Sequence, residues 1–119
     1  MSLNIPQADL LIRLLDVASL RHRLISQNLA NVNTPSYRQL EVSFEDAFAK
    51  ALSKKGDSSA LRITPRIVEG HDNPVRQDGN TVDLDREVGS LNKNSVMYGT
   101  TIQMLMSRIN MMRSAITGR

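Results

Sequence analysis

A chain of 119 residues with a formal net charge of +3 and no cysteine has room for one modest core, and it excludes thiol catalysis, disulfides and thiolate metal sites. Aromatic residues (Tyr37, Tyr98, Phe44 and Phe48) make up only 3%, so Leu, Ile, Val and Met must supply the core, as in a helical bundle or long helical hairpin. No apolar run is long enough for a direct membrane span, and Pro6, Asp9 and Arg13 interrupt any secretory signal, so a chain that leaves the cytoplasm is expected to do so with its N-terminus uncleaved.

Pro6, Pro35, Pro65 and Pro74 leave two long proline-free segments, which are the helix candidates because proline disrupts helix interiors. The first predicts an N-terminal helix over residues 6–33. Leu10, Leu14, Val17 and Leu24 form one apolar row, interrupted by Arg21, and Leu11, Leu15, Ala18, Ile25 and Leu29 form a second beside it. Asn28 falls four residues after Leu24, where a buried amide fixes register at some cost in stability. The helix is expected to end between Ala30 and Asn33, since Pro35 pushes Thr34 into extended backbone.

The intervening segment, 35–80, reads as irregular or small β around one short helix. Residues 42–53 predict that helix, with Phe44, Ala47, Phe48, Ala51 and Leu52 on one side. Residues 54–59 are a polar break containing Gly56. Leu61, Ile63, Ile67 and Val68 suggest short strands around Pro65, which argues against a central strand. Residues 70–80 read as loop with a turn at Asp78-Gly79.

Residues 83–117 predict a C-terminal helix about 50 Å long. Leu84, Val88, Leu91, Ser95, Tyr98, Ile102, Leu105, Ile109, Met112 and Ile116 follow an unbroken alternation of four and three, the pattern of a coiled-coil seam. Asp83, Asp85 and Glu87 fall in its first turn and Arg113 is expected in its last, matching the helix dipole. The fold class is therefore mainly α, one domain over 1–119, with the terminal helices paired as an antiparallel hairpin or coiled coil.

Charge is missing where an exposed helix would carry it. Residues 24–37 have none, and residues 88–107 have only Lys93. Small uncharged polar groups beside apolar ones suit burial against another protein, where no ion has to be desolvated. Met97, Met104 and Met111 recur at intervals of seven. Alone such a stripe reads as filling of the hairpin core; beside the missing charges it reads as an inter-subunit stripe. Gly89 and Gly99 each cost about 1 kcal/mol in a helix interior, and read equally as drift or as close helix approach.

Catalysis finds no constellation. His22 and His71 stand alone, and no His, Asp or Glu grouping has metal-ligand spacing, so no catalytic, cofactor or metal residue is assigned. The acidic residues of 78–87 lack the ligand spacing of a calcium loop. A coiled-coil module binding nucleic acid is the main alternative. Arg13, Arg21, Arg23, Arg108, Arg113 and Arg119 form no contiguous basic helix, however, and no aromatic platform accompanies them. A subunit of another secretion filament is the second alternative.

The run Ser26-Gln27-Asn28-Leu29-Ala30-Asn31-Val32-Asn33-Thr34-Pro35-Ser36-Tyr37 closely resembles the N-terminal motif of the flagellar rod and hook proteins, with Asn28, Asn31, Thr34, Pro35 and Tyr37 matching. Ser36 stands where that family carries glycine, a position at which positive φ costs serine more. Asp78-Gly79-Asn80-Thr81-Val82-Asp83-Leu84-Asp85-Arg86-Glu87 and the closing run Met111-Met112-Arg113-Ser114-Ala115-Ile116 are similar to the short proximal-rod members. The resemblance implies a structural subunit of the basal-body rod, exported by the flagellar type III apparatus and self-associating through its terminal helices. It implies other rod proteins, the rod–ring adaptor, the membrane ring and the export gate as partners, and no nucleic acid. Leu10 to Leu29 and Leu84 to Ile116 would zip together, with Tyr37 anchoring the chain where it leaves the first helix.

Overall fold

A computed structural model describes residues 4–53 and 62–118. The order is α1 (Asn4–Ala30), β1 (Leu40–Ser43), α2 (Glu45–Leu52), β2 (Arg66–Glu69) and α3 (Leu84–Thr117). The polar break at 54–59 and Leu61 lie outside the described residues. At 1.5 Å per residue α1 is about 40 Å long and α3 about 51 Å. They pair antiparallel in a molecule of 63 × 30 × 14 Å. Its radius of gyration is 18.0 Å, against about 13.5 Å for a compact chain of this length. The subunit is a thin slab whose length is the length of its helices.

Pro6 lies in the first turn of α1, where its missing N–H breaks no helical bond. The helix ends at Ala30, within the range of Ala30 to Asn33 expected from Pro35. Asn31 still donates back to Gln27 O at 3.1 Å, and Thr34 N then donates to Asn31 O at 3.0 Å.

The expected helix over 42–53 starts later, at Glu45. Val42 and Phe44 are buried while Glu41 and Ser43, alternating with them, are exposed, a period of two that makes residues 40–43 a strand. Of the expected apolar side of α2, Phe48 and Ala51 turn inward, whereas Ala47 and Leu52 are exposed. The rings of Phe44 and Phe48 stack with centroids 4.9 Å apart. Strand β2 pairs antiparallel with β1, from Leu40 opposite Glu69 to Ser43 opposite Arg66. Pro65 sits just before the strand, outside the ladder.

The core lies between α1 and the β1–α2 segment: Val17, Leu24, Val42 and Phe44, flanked by Leu14, Leu20, Leu40, Phe48 and Ile63. The two apolar rows of α1 thus divide. Leu14, Val17 and Leu24 of the first join the core with β1 and α2, while Ala18 and Ile25 of the second are buried beside α3. Arg21, the interruption in the first row, donates to Val42 O at 3.3 Å and pairs with Glu45 at 2.9 Å.

Asp83 caps α3, its carboxylate accepting from Arg86 N at 3.3 Å, and Asp85 and Glu87 occupy the first turn. Gly118, at φ 74°, closes the other end by donating its N–H to Ser114 O at 2.8 Å. Arg113 is not in the last turn as expected; the helix runs on to Thr117, and its final turn has no basic residue.

Candidate functional site: a polar latch and an open helix face

The two terminal motifs meet. Asn28 is fully buried, and every hydrogen-bonding position of its amide is filled. Its Oδ1 accepts from Leu40 N at 3.0 Å and from the Tyr37 hydroxyl at 3.1 Å; its Nδ2 donates to Leu40 O at 2.8 Å and to Glu87 Oε2 at 3.2 Å. The other Glu87 oxygen accepts from Gln39 Nε2 at 2.8 Å, and Gln39 Oε1 accepts from Asn73 at 2.9 Å. One side chain therefore ties α1, β1 and α3 together. It also caps an edge of β1 that would otherwise lack partners. The hydroxyl of Tyr37 is turned inward onto Asn28.

A second buried amide does the same for the turns. Asn80 has 0% exposure, and its Nδ2 donates to Asn31 O at 2.9 Å and Thr34 O at 2.8 Å, two carbonyls of the turns that follow α1. Its Oδ1 accepts from Val82 N at 2.7 Å. Ser36 N donates to Asp78 O at 2.8 Å, Thr81 N to Tyr37 O at 3.0 Å, and Arg76 to the carbonyls of Val32 and Val82. The Asn31 and Thr34 side chains bond to each other within the turn at 3.0 Å, and Pro35 is exposed on its outside. Ser36 adopts the positive φ of 63° that the family's glycine position implies.

Within α3 the line that meets α1 takes in only part of the apolar seam. Glu87, Asn94 and Thr101, seven apart, are the buried positions, and of the seam Leu91, Leu105 and Met112 are half-buried on the same side of the helix. Asn94 Nδ2 donates to Ala18 O at 2.8 Å, and Thr101 Oγ1 donates back to Met97 O at 2.8 Å. The contact line lies three residues, about 60° of helix rotation, from the seam through Leu84 and Val88. Leu84, Val88, Tyr98, Ile109 and Ile116 are exposed, as is Ser95, and Ile102 is half-buried. Of the α1 residues expected to zip with them, Val17, Leu24 and Ile25 are buried and Leu10, Leu14 and Leu29 half-buried. Extending the register set by Glu87–Asn28 and Asn94–Ala18 brings Ile109 level with Asn4, so residues 110–117 run past the described start of α1.

The methionine stripe does not fill the hairpin core: Met97, Met104 and Met111 are all exposed. Around Gly89 and Gly99 nothing lies within 4 Å of where a Cβ would stand, so no contact in the subunit calls for glycine. The missed feature is the polar contact line. Its heptad spacing was visible, but Glu, Asn and Thr carry no apolar signal to mark them as interior.

A groove of about 450 Å³ runs between α3 and β1, lined by Arg21, Glu45, Lys93 and Met97 among others, with no histidine. Among the described residues no group of three His, Cys, Asp or Glu could hold a metal ion, and no helix is long and apolar enough to cross a membrane.

No family model matches the chain. Curated relatives do. The chain is 34% identical to the flagellar basal body rod protein FlgB of Borreliella burgdorferi, over 72% of this chain and 77% of that protein. It is 28% identical to FlgB of Bacillus subtilis, over 85% of each, and 29% identical to FlgB of Aeromonas hydrophila, over 87% of each. The slender hairpin with its latched motifs is thus a structural subunit of the flagellar basal body rod, not an enzyme. Within that class, the chain belongs to the flagellar basal body rod protein FlgB family.

Proposed function

We propose that the subunit builds the membrane-proximal end of the periplasmic rod by packing the uncovered faces of α3 against copies of itself and other rod proteins. It reaches that place through the flagellar type III export apparatus with its N-terminus uncleaved. The rod–ring adaptor, the membrane ring and the export gate are its neighbours at that end. One observation carries the reading: ten of the fourteen exposed large apolar residues among those described lie on α3. Burial of such residues is worth about 25 cal/mol per Å² of apolar surface, and a charge-poor helix gives up little ion solvation in exchange.

The latch has a complementary role. By fixing α1 to α3 through Asn28 and Glu87, it presents the pair to neighbours as one preformed unit, which lowers the ordering cost of assembly. The buried amides set register, and the exposed seam supplies affinity.

Basal bodies isolated from the source bacterium and analysed by mass spectrometry test the assignment. The chain is expected among the proximal rod proteins. Its absence from intact, well-recovered basal bodies would overturn the reading.

A further inference from the structure

Apart from Met1, every methionine of the chain lies in α3. Four of those five are more than half exposed: Met97 57%, Met104 54%, Met106 52% and Met111 62%. Met97, Met104 and Met111 follow one flank of the line facing α1. Met106 lies on the other flank, beside Ile102 and Ile109. None belongs to the core around Val17, Leu24, Val42 and Phe44. No methionine side chain takes part in the Asn28–Glu87 or Asn80 bonding.

We propose that Met97, Met104, Met106 and Met111 are the oxidation sites of α3, at which peroxide converts the unassembled subunit to a sulfoxide form that keeps its fold and loses its contact faces. The loss of contact rests on the packing role of α3 proposed above; the oxidation itself does not.

The chemistry needs only the thioether and hydrogen peroxide. The sulfur lone pair attacks one peroxide oxygen, the O–O bond breaks as the S–O bond forms, and the departing oxygen leaves as water after proton transfer. Sulfur is oxidised by two electrons and the peroxide is reduced by two. Access sets the rate, and four of the five thioethers of α3 have it. The product is polar where the face must shed water, so each sulfoxide opposes docking. The latch and core hold no thioether, which separates damage to assembly from damage to folding. Methionine sulfoxide is reducible enzymatically, so the change is reversible.

The experiment treats the full-length chain with graded hydrogen peroxide and follows each methionine by peptide mass spectrometry, with thermal melting by circular dichroism and binding to an immobilised, unoxidised copy. The four exposed methionines are expected to gain one oxygen before half-buried Met112, with the melting midpoint unchanged. Binding is expected to fall about tenfold or more, because burying one such side chain contributes at least that factor to an equilibrium constant. A chain carrying Met97→Leu, Met104→Leu, Met106→Leu and Met111→Leu is expected to bind and to resist peroxide. Oxidation of Met112 as fast as the other four, a melting loss that accompanies the first oxygens, unchanged binding of the oxidised chain, or equal peroxide sensitivity of the leucine variant would each overturn the proposal. Failure of the unoxidised chain to bind its own copy overturns instead the packing role of α3 and the assembly consequence with it. The order of oxidation then still decides the modification site.

Discussion

Asn28 donates its Nδ2 hydrogen to Glu87 across 59 residues of sequence, at 3.2 Å and in a site closed to solvent. Glu87 is a carboxylate at 3% exposure whose two oxygens are each held by a side-chain amide, Asn28 on one and Gln39 on the other. Such an arrangement is stable only while both donors stay in place, because a buried carboxylate without its hydrogen bonds is costly. The hairpin is closed at this end by buried polar groups bonded to one another.

Replacing Asn28→Ala strips Glu87 of one donor and leaves Leu40 N–H and C=O without partners. A loss of about 3 kcal/mol is expected, from several buried polar groups left unsatisfied. Glu87→Gln keeps one acceptor but sets an amide donor against Asn28 or Gln39, and about 1–2 kcal/mol is expected for that milder mismatch. Urea unfolding of the isolated chain checks both, and equal stability of Asn28→Ala and the parent would contradict the latch.

Ser36 and Gly79 make a matched pair of positive-φ residues in facing turns, at 63° and 84°. Serine is strained there and glycine is not, so Ser36→Gly is expected to stabilise by up to about 1 kcal/mol. Gly79→Ala goes the other way. It forces alanine to positive φ and brings its Cβ within 3.2 Å of Ser36 Oγ and 3.3 Å of Ser36 Cα. About 1–2 kcal/mol of destabilisation follows from the backbone conformation alone. Paired thermal melts would show opposite signs.

Gly89 and Gly99 give the converse test. Each has open space where a Cβ would sit, so Gly89→Ala and Gly99→Ala should each stabilise the isolated subunit, by up to about 1 kcal/mol from helix propensity. Swimming in soft agar by strains carrying these variants reads the other side: impaired motility from a more stable subunit identifies close helix approach in the rod.

Stability and assembly should come apart between α3's open face and the core. Val88→Glu and Ile109→Glu alter exposed positions and are expected to leave unfolding within about 0.5 kcal/mol of the parent while abolishing motility. Phe44→Ala, in the core, is expected to cost about 3–5 kcal/mol. Parallel urea curves and motility assays separate the two classes, and a normally motile Val88→Glu strain would contradict the packing role of that face.

Much of this was legible beforehand because it is local. Proline spacing marked both long helices, Pro35 marked the end of α1, and Asp78-Gly79 marked its turn. The middle segment was less so. Val42 and Phe44 suit either the first turn of a helix or alternate positions of a strand, and only pairing with residues 66–69 selects the strand. Asn28 was readable as a register-setting amide, yet its partners Leu40 and Glu87 were not, since a hydrogen bond leaves no trace in local periodicity.

The sequence by itself determined that two long helices flank a short mixed segment, that α3 carries a continuous apolar seam, and that the chain has the motifs of a rod protein. The first two follow from properties of neighbouring residues, propensity, polarity and spacing along one helix, and the third from resemblance to known motifs. Only the tertiary structure decided which face of α3 meets α1. A helical period states that an apolar row exists and is silent about what covers it. The choice falls to contacts between distant residues, where the buried amides of Asn28, Asn94 and Asn80 dock a polar line inward and leave much of the apolar row for another molecule.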